Sequence, residues 1–470
     1  MSETMKFDLV VLGGGPGGYT AAFRGADLGL SVCLVEKQER LGGVCLNVGC
    51  IPSKTLLHAA AVIEEAAEIA EFGVDFAPPK IDIERVLAKK NAVIKQLTSG
   101  LDGLCKARKI TRLAGKGVFK DSTTLMVTGP DGEQEVQFAS VIIATGSHPF
   151  ILPNIPEDPR IWDSTAALEL KTVPKRFLII GGGIIGLEMA QIYSALGSEI
   201  TVVEMLEQII PPADKDLVQP LFLKLKKKYT ILTKTKVTAI TPADSGIKVS
   251  LEGKKGTENA EFDAVLVAVG RKPNSADMGF DKVGLNIDER GFLQVNERQE
   301  TNVEHFYGIG DVVGEPMLAH KATHEGKVAA EVIAGHEASF TPMTIPSVAY
   351  TNPEVAWMGL TEKEAKAQKI DFSKGKFPWG ASGRALSSGA PSGVTKALFD
   401  KKSGRIIGAG ICGQNAGELI HEAVLALEMG ANAEDISLTV HAHPTLAETF
   451  AFAAEIVDGS ITDVLPPKKK

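Results

Sequence analysis

The sequence predicts an α/β fold: two doubly wound units in series, followed by an α+β layer at the C-terminal end. Three observations predict it. A short β-rich apolar run, Phe7 to Leu12, feeds directly into Gly13-Gly14-Gly15-Pro16-Gly17-Gly18. The same arrangement returns 168 positions on, where Phe177 to Ile180 leads into Gly181-Gly182-Gly183-Ile184-Ile185-Gly186. Beyond residue 346, strand-like runs at Ser347 to Tyr350 and Arg405 to Ile411 are followed by a helical pattern from Ala416 to Met429, a mixed layer.

Composition agrees with this. At 470 residues the chain is long enough for about three domains. Apolar residues at 44% and charged residues at 23% exclude intrinsic disorder. Glycine, 48 of 470, exceeds its usual share of about 7%, as tight turns and close backbone approaches require. The net charge of −8 argues against nucleic acid as a partner. The lysines of Lys224 to Lys228 and Lys468 to Lys470 read as solvated surface. Met1 to Lys6 is short and polar, with no signal peptide expected, and no apolar run approaches the roughly 18 residues of a membrane span. No membrane partner is expected. Five cysteines make no disulfide scaffold, so a reducing, cytoplasmic setting is favoured.

Each element of the first unit has a chemical reason. Gly13 allows the tight turn after the strand, Gly15 lets backbone approach a pyrophosphate, and Gly18 permits close helix packing. The helix that follows, through Tyr19, Ala22, Phe23 and Ala26, offers its N-terminal N–H groups to phosphate. A strand from Ser31 to Val35 ends at Glu36, where a carboxylate would accept ribose hydroxyls. In the second unit a helix runs through Ala195 and a strand from Ile200 to Val203 ends at Glu204. One glycine turn could be only a turn. Two in full βαβ context and in register indicate two Rossmann-like, dinucleotide-binding units. Two dinucleotides in one chain suggest electron traffic between a nicotinamide and a flavin. Glu204 is followed by Met205, Leu206 and Glu207 with no arginine to pair a 2′-phosphate, so the second unit reads as NAD-selective.

Cys45 and Cys50 stand just past the first unit, in Cys45-Leu46-Asn47-Val48-Gly49-Cys50-Ile51-Pro52-Ser53-Lys54. In an ideal helix residues five apart lie roughly 8–9 Å apart at Cα, beyond the reach of a disulfide at about 4.4–6.8 Å. The pair can bridge only across distorted backbone, which Gly49 would permit. Pro52 fits the first turn of a helix continuing through Leu56, Leu57 and Ala60, and a cysteine at a helix N-terminus favours the thiolate. Metal binding and an inert buried pair are the rivals; no second ligand pair lies nearby at zinc spacing, no metal is expected, and a redox pair is preferred. Cys33, Cys105 and Cys412 read as packed or surface thiols. Near the C-terminus, in His441-Ala442-His443-Pro444, Pro444 can open a helix that carries Glu448 one turn in, close enough to orient the His443 imidazole for proton exchange with a thiol. His320 and His324 read as structural or surface.

These motifs together resemble the pyridine nucleotide–disulfide oxidoreductase family over essentially the whole chain. They are the Cys45–Lys54 box, Ala144-Thr145-Gly146, Gly270-Arg271-Lys272-Pro273-Asn274, Tyr307 to Asp311, Ala319-His320-Lys321 and His441 to Leu446. Within the family the resemblance is to the branch that oxidises protein-bound dihydrolipoamide and reduces NAD⁺. It implies FAD in the first unit, at Gly13, Gly15, Gly18, Glu36, Lys54, Gly117, Thr145, Gly146, Asp311 and Ala319. NAD would lie in the second, at Gly181, Gly183, Ile184, Ile185, Gly186, Glu188, Glu204, Val237, Gly270 and Arg271. Lys54 would pair with Glu188 beside the flavin ring. Cys50 would be the sulfur nearest the flavin, Cys45 the interchange thiol, and His443, held by Glu448, the acid–base serving the disulfide of the other subunit. The implied partners are a second copy of the chain, and the lipoyl domains and acyltransferase core of 2-oxo acid dehydrogenase complexes or the glycine cleavage H protein.

Domains then read as 1–148 (FAD-binding, with the redox pair), 149–275 (NAD-binding), 276–345 (a return to the FAD side) and 346–470 (α+β dimerisation domain). A glutathione-reductase-like enzyme would prefer basic residues where this chain has Glu204 and Glu207. A mercuric reductase would end in adjacent cysteines, and a soluble transhydrogenase would lack the redox pair. A non-catalytic flavoprotein docking subunit would have no use for both thiols, His443 and Glu448. Two positions depart from the family pattern: Val44 stands where threonine is common, and Asn352 where histidine or glutamate is usual.

Overall fold

The computed structural model describes residues 5–130 and 132–465; Met1 to Thr4 and the Lys468–Lys470 tail lie outside the described residues. The first sheet combines β1 (Met5–Leu12), β2 (Val32–Glu36), β3 (Thr111–Ala114), β4 (Lys116–Asp121), β5 (Thr124–Gly129) and β6 (Gly132–Ile143) in the order β3-β2-β1-β6-β5-β4. β1 is central and parallel to both neighbours, Val11 standing opposite Leu34 and Ile142. Leu9, Val10, Val11 and Leu12 are all buried, as a parallel strand covered on both faces demands. Helices α1 (Pro16–Asp27), α2 (Gly43–Val48), α3 (Cys50–Glu68) and α4 (Ile83–Ala107) interleave with these strands. Pro16 opens α1, where its missing N–H costs nothing.

The second unit repeats the plan. A short β7 (Ser147–Pro149) leads out of the first unit, and β8 (Ile161–Trp162), α5 (Ser164–Glu169), β9 (Arg176–Ile180), α6 (Ile184–Ala195), β10 (Glu199–Glu204), α7 (Lys215–Leu225) and β11 (Thr230–Thr233) follow. An antiparallel ribbon, β12 (Lys236–Ala243), β13 (Gly246–Gly253) and β14 (Gly256–Phe262), precedes β15 (Ala264–Val267), giving a parallel sheet β11-β10-β9-β15-β8. β16 (Arg271–Pro273) pairs antiparallel with β7, and β17 (Phe306–Gly308) returns to the first sheet beside β6. Next, α8 (Ala319–Ile333) lies on α1 through small residues: a Cβ at Gly326 would stand 2.6 Å from the Gly17 carbonyl oxygen.

The last part is an antiparallel sheet of β18 (Ser347–Ala349), β19 (Glu354–Gly359), β20 (Phe372–Pro378), β21 (Val394–Asp400) and β22 (Ile406–Gly413), ordered β18-β19-β22-β21-β20. It carries α9 (Glu362–Ala367), α10 (Gly383–Ser387), α11 (Ala416–Glu428), α12 (Ala433–Leu438) and α13 (Glu448–Asp458) around a core that includes Phe377, Trp379 and Phe450.

Three sequence readings need revision. The helical run Gly43–Phe72 has the length and mean hydropathy, 1.3, of a membrane span. It is broken at Gly49 and buries Leu56 and Leu57 in the core of the second unit. The Lys224–Lys228 stretch is not simply solvated: Lys224 pairs with Glu68 at 2.9 Å and Lys228 with Glu64 at 3.1 Å, fastening α7 to α3. Asn352 joins this junction, donating to Glu64 and accepting from Lys224. Finally, the helix near the C-terminus starts at Glu448 rather than at Pro444.

Candidate active site

Both glycine turns are built alike. Gly13 and Gly181 adopt φ of +113° and +111°, and a Cβ there would stand 2.2 Å from the Ala144 oxygen and 2.3 Å from the Ala268 oxygen. Cβ atoms at Gly18 and Gly186 would strike the carbonyls of Gly13 and Gly181 at 1.8 and 2.1 Å. Glu36 and Glu204 are both buried at the ends of their strands. Each braces its turn with both oxygens: Gly14 N–H and Gln38 N–H donate to Glu36 at 2.7 and 2.8 Å. Gly182 N–H and Leu206 N–H donate to Glu204 at 2.8 Å each.

One continuous cleft of about 2020 Å³ runs between the turns. Gly13, Gly15, Gly18, Glu36, Gly117, Thr145, Gly146, Asp311 and Ala319 line its first end, and Gly181, Gly183, Ile184, Ile185, Glu204, Val237 and Gly270 its second. Cys45, Cys50, Lys54, Glu188 and Arg271 line it as well. Gly186 lies behind the cleft, where its role is helix packing. Bare glycine backbone at two helix starts and an acid at each neighbouring strand end suit two dinucleotides with their pyrophosphates on the helix N-termini.

The thiols meet because the helix breaks. Gly49, at φ −142° and ψ −113°, separates α2 from α3, so Cys45 belongs to one helix and Cys50 starts the next. Both are free thiols, and a Cys50 thiolate would accept a hydrogen bond from the Cys45 thiol. That bond holds Cys50 down to about 7; burial opposes it, and the Lys54 ammonium one turn along α3 assists. The same bond, with burial, pushes Cys45 well above the ordinary thiol range. Lys54 is tied to Glu188 on α6 by two contacts of 3.0 and 2.9 Å. Cys33 and Cys412 are buried, and desolvation pushes each up to about 12; Cys105 is buried in the first unit.

Behind the thiols, the Ala144–Gly146 and Gly270–Asn274 motifs are stitched together. Thr145 Oγ1 donates to the Asn274 carbonyl at 2.6 Å, and Asn274 Nδ2 donates to the Thr145 carbonyl at 2.8 Å. Ser147, which sequence reasoning missed, receives Arg271 Nε at 2.7 Å and donates to Asp311. Arg271 therefore faces Asp311 and the thiols rather than the glycine turn of its own unit. Asp311 is placed by a buried pair: Lys321 lies 2.8 Å from Glu325, Glu325 accepts the Gly310 N–H at 2.7 Å, and Lys321 donates to the Gly310 carbonyl at 3.2 Å. The position of Ser147 directly after Ala-Thr-Gly was its only sequence signal.

His443 stands elsewhere. Its side chain is 78% exposed and does not line the cleft, with Nδ1 2.9 Å from Glu448 Oε1. Glu448 is fixed by Thr445 N–H at 2.6 Å, so a tight loop, not a helix opened by Pro444, sets the pair. Within one chain the imidazole and the dithiol are not brought together. His320 hydrogen-bonds the Pro346 carbonyl at 2.9 Å. Among the described residues one carboxylate group has metal-like spacing, Asp214, Asp216 and Glu362. Lys396 Nζ sits among them at 2.7, 2.7 and 3.1 Å.

Comparison with known proteins agrees with this geometry. Residues 7–326 match the family described as pyridine nucleotide-disulphide oxidoreductase, and residues 345–454 its dimerisation domain. The chain is 55% identical to the dihydrolipoyl dehydrogenase of Vibrio cholerae, over 100% of this chain and 99% of that one. It has the same identity and coverage with the dihydrolipoyl dehydrogenase of Haemophilus influenzae. Among solved structures it is similar to an HOCl-induced flavoprotein disulfide reductase of Escherichia coli, with a TM-score of 0.85 and 26% identity over 96% of this chain and 100% of that one.

Proposed function

The chain belongs to the pyridine nucleotide-disulphide oxidoreductase family and catalyses the dihydrolipoyl dehydrogenase reaction with FAD and NAD, and from that premise we propose how its residues divide the work. The observation that carries the proposal is the placing of Cys45 and Cys50 on either side of the Gly49 break, beside the Lys54–Glu188 pair, in one cleft between two matching nucleotide turns. Cys45 is the interchange thiol. A substrate thiolate attacks Cys45 Sγ in the oxidised pair, breaking the Cys45–Cys50 bond and releasing Cys50 as thiolate. The second substrate thiol then displaces Cys45 and closes the lipoyl disulfide, leaving both enzyme sulfurs reduced. Lys54 and the N-terminus of α3 stabilise the Cys50 thiolate. The partner subunit's His443, oriented by its Glu448, takes the substrate proton; the exposure of His443 within one chain supports this division between subunits.

FAD in the first unit, when bound, supplies the electron relay between the dithiol and NAD⁺. Glu36 and Asp311 would hold its adenosine and ribityl ends, and Lys54 with Glu188 would stand beside its ring. Glu204 would hold the NAD ribose. Substrates would be lipoyl arms of 2-oxo acid dehydrogenase complexes or of a glycine cleavage H protein, in a cytoplasmic setting, which five cysteines too few for a disulfide scaffold favour.

The test is an anaerobic titration of the holoenzyme with dihydrolipoamide, followed by NAD⁺. The expected result is a long-wavelength thiolate–flavin absorbance near two-electron reduction that disappears as NADH forms. An unchanged flavin spectrum would sink the assignment of these thiols, and glutathione with NADPH would be tried next.

A further inference from the structure

Tyr350 follows β18 at the entrance to the last domain, and no motif drew attention to it. It makes two contacts with one ion pair. Lys54 Nζ stands 4.4 Å from the centre of its ring, and its backbone N–H donates to Glu188 Oε1 at 3.2 Å. The tyrosine thus touches both members of the pair, the cation through its π face and the carboxylate through its main chain. Tyr350 lines the cleft, and its ring lies beside the start of α11, where a Cβ at Gly417 would stand 3.6 Å from Tyr350 Cε1.

Lys54 alone is badly placed to hold still. Its side chain is one-third exposed and carries several free rotors, whereas Glu188 is only 4% exposed on α6. An ammonium tethered on one side by a carboxylate can swing about that contact; a ring face on the other side removes the freedom. We propose that Tyr350 is a positioning residue, by which the dimerisation part of the chain fixes the Lys54 charge facing Cys50. The proposal rests on Cys50 being the thiolate of the pair. The other groups that face Cys50 are Cys45 on α2, Glu188 on α6, Arg271 on β16 and the Tyr350 hydroxyl, with Asp311 near Cys45 and Arg271, and Glu354 on β19 facing Lys54 and Tyr350. Phenylalanine at 350 removes the hydroxyl and keeps the ring, and Glu188 keeps its contact with the Tyr350 main chain in any side-chain variant.

The experiment follows the long-wavelength thiolate–flavin absorbance of the two-electron-reduced holoenzyme against pH. Tyr350→Leu should raise the midpoint by about half a pH unit, a modest share of a partly desolvated cation–π contact. Tyr350→Phe, which keeps the face, should leave it unchanged. Pentafluorophenylalanine at the same position keeps the shape but reverses the charge distribution of the face, and should shift the midpoint as leucine does. The fluorinated and plain phenylalanine pair decides the matter if the leucine variant does not fold. Wild-type midpoints in both the leucine and fluorinated variants overturn the proposal alone. A wild-type enzyme with no such absorbance overturns the role of Cys50 and the proposal with it.

Discussion

The two nucleotide units share a frame to the residue and differ in what closes over it. In both, the strand-end acid accepts from the second glycine of the turn and from a backbone N–H two residues beyond itself. In both, the chain returns to the second glycine at the same offset, Gly42 N–H donating to the Gly14 carbonyl at 2.8 Å and Ile210 N–H to the Gly182 carbonyl at 2.9 Å. The first unit makes that return with two glycines of positive φ, Gly42 and Gly43, so that α2 lies directly over Gly15. The second makes it with Ile210, and no atom comes within 4 Å of a Cβ at Gly183. The first turn is roofed by α2, the helix that carries Cys45, and the second is open. A roofed turn suits a cofactor that stays; an open turn suits one that binds, reacts and leaves. Between β2 and β3 the first unit accommodates α2, α3 and α4, whereas between β10 and β11 the second has α7 alone.

The most drastic way to test that contrast is to place the same methyl in both turns. Gly13→Ala and Gly181→Ala each add backbone strain of about 1–3 kcal/mol and a clash with a main-chain oxygen. Gly13→Ala should yield protein without bound flavin. Gly181→Ala should retain flavin and lose NAD⁺, with KM raised by at least about tenfold, or roughly 1.4 kcal/mol. Equal flavin loss in both variants would show that the units are not independent. Next in size is a clamp on the second unit. Lys396 on β21 is buried against Asp214, Asp216 and Glu362, and so bolts α7 to the last domain. Lys396→Met leaves Asp214 without its cation, while Lys374 still meets Glu362 and Lys376 still meets Asp216, and should cost about 3 kcal/mol in chemical denaturation. A neutral substitution would mean that the acids find water instead.

How much of this was legible in the sequence divides along the same line. The frame was, because backbone geometry forces glycine at Gly13, Gly18, Gly181 and Gly186, and the strands between buried faces are short apolar runs. The break between Cys45 and Cys50 was, because Gly49 stands where the helix would otherwise keep the two apart. Contacts made by ordinary polar residues across long sequence separations were not. Ser147 joining Arg271 to Asp311, Asn352 joining Glu64 to Lys224, and Tyr350 on Lys54 have no period and no motif. The Lys224–Lys228 stretch misled because sequence shows a charge run but not the acids on α3 that meet it. The His443 loop misled more narrowly, since Pro444 suggested a helix start that Thr445 and Glu448 make unnecessary.

Smaller effects sharpen the comparison of the two acids. Glutamine in place of Glu36 or Glu204 can accept from only one of the two N–H groups through its single carbonyl oxygen. Each substitution should cost about 1–3 kcal/mol. Glu204→Gln should raise the KM for NAD⁺ and narrow the preference over NADP⁺, because the repulsion of a 2′-phosphate is gone. Glu36→Gln should leave nicotinamide preference untouched and weaken flavin retention on dialysis. If Glu36→Gln changed nicotinamide preference, the assignment of the two units would be wrong.

The subtlest prediction separates Cys50, at the start of α3, from the rest of the first unit. In the reduced enzyme Cys50 is held down to about 7, first by the hydrogen bond from Cys45, whereas Cys33 in β2 of the same unit is pushed up to about 12 by desolvation. A thiol held below its ordinary value of 9.0 adds stability to the reduced fold that is fully present above pH 9 and is lost as pH falls through about 7. The melting temperature of reduced wild type, relative to Cys50→Ser, should therefore rise between pH 6 and 9 and level off above. Carbon-13 labelling of cysteine should show the Cys50 Cβ resonance titrating near 7 while that of Cys33 stays fixed throughout the same range. Cys45→Ser retains a hydroxyl donor and should move the Cys50 midpoint only modestly, whereas Cys45→Ala removes the donor and should move it upward further. A Cys50 midpoint that is the same in all three would assign the lowered value to Lys54 and the helix terminus rather than to the neighbouring thiol.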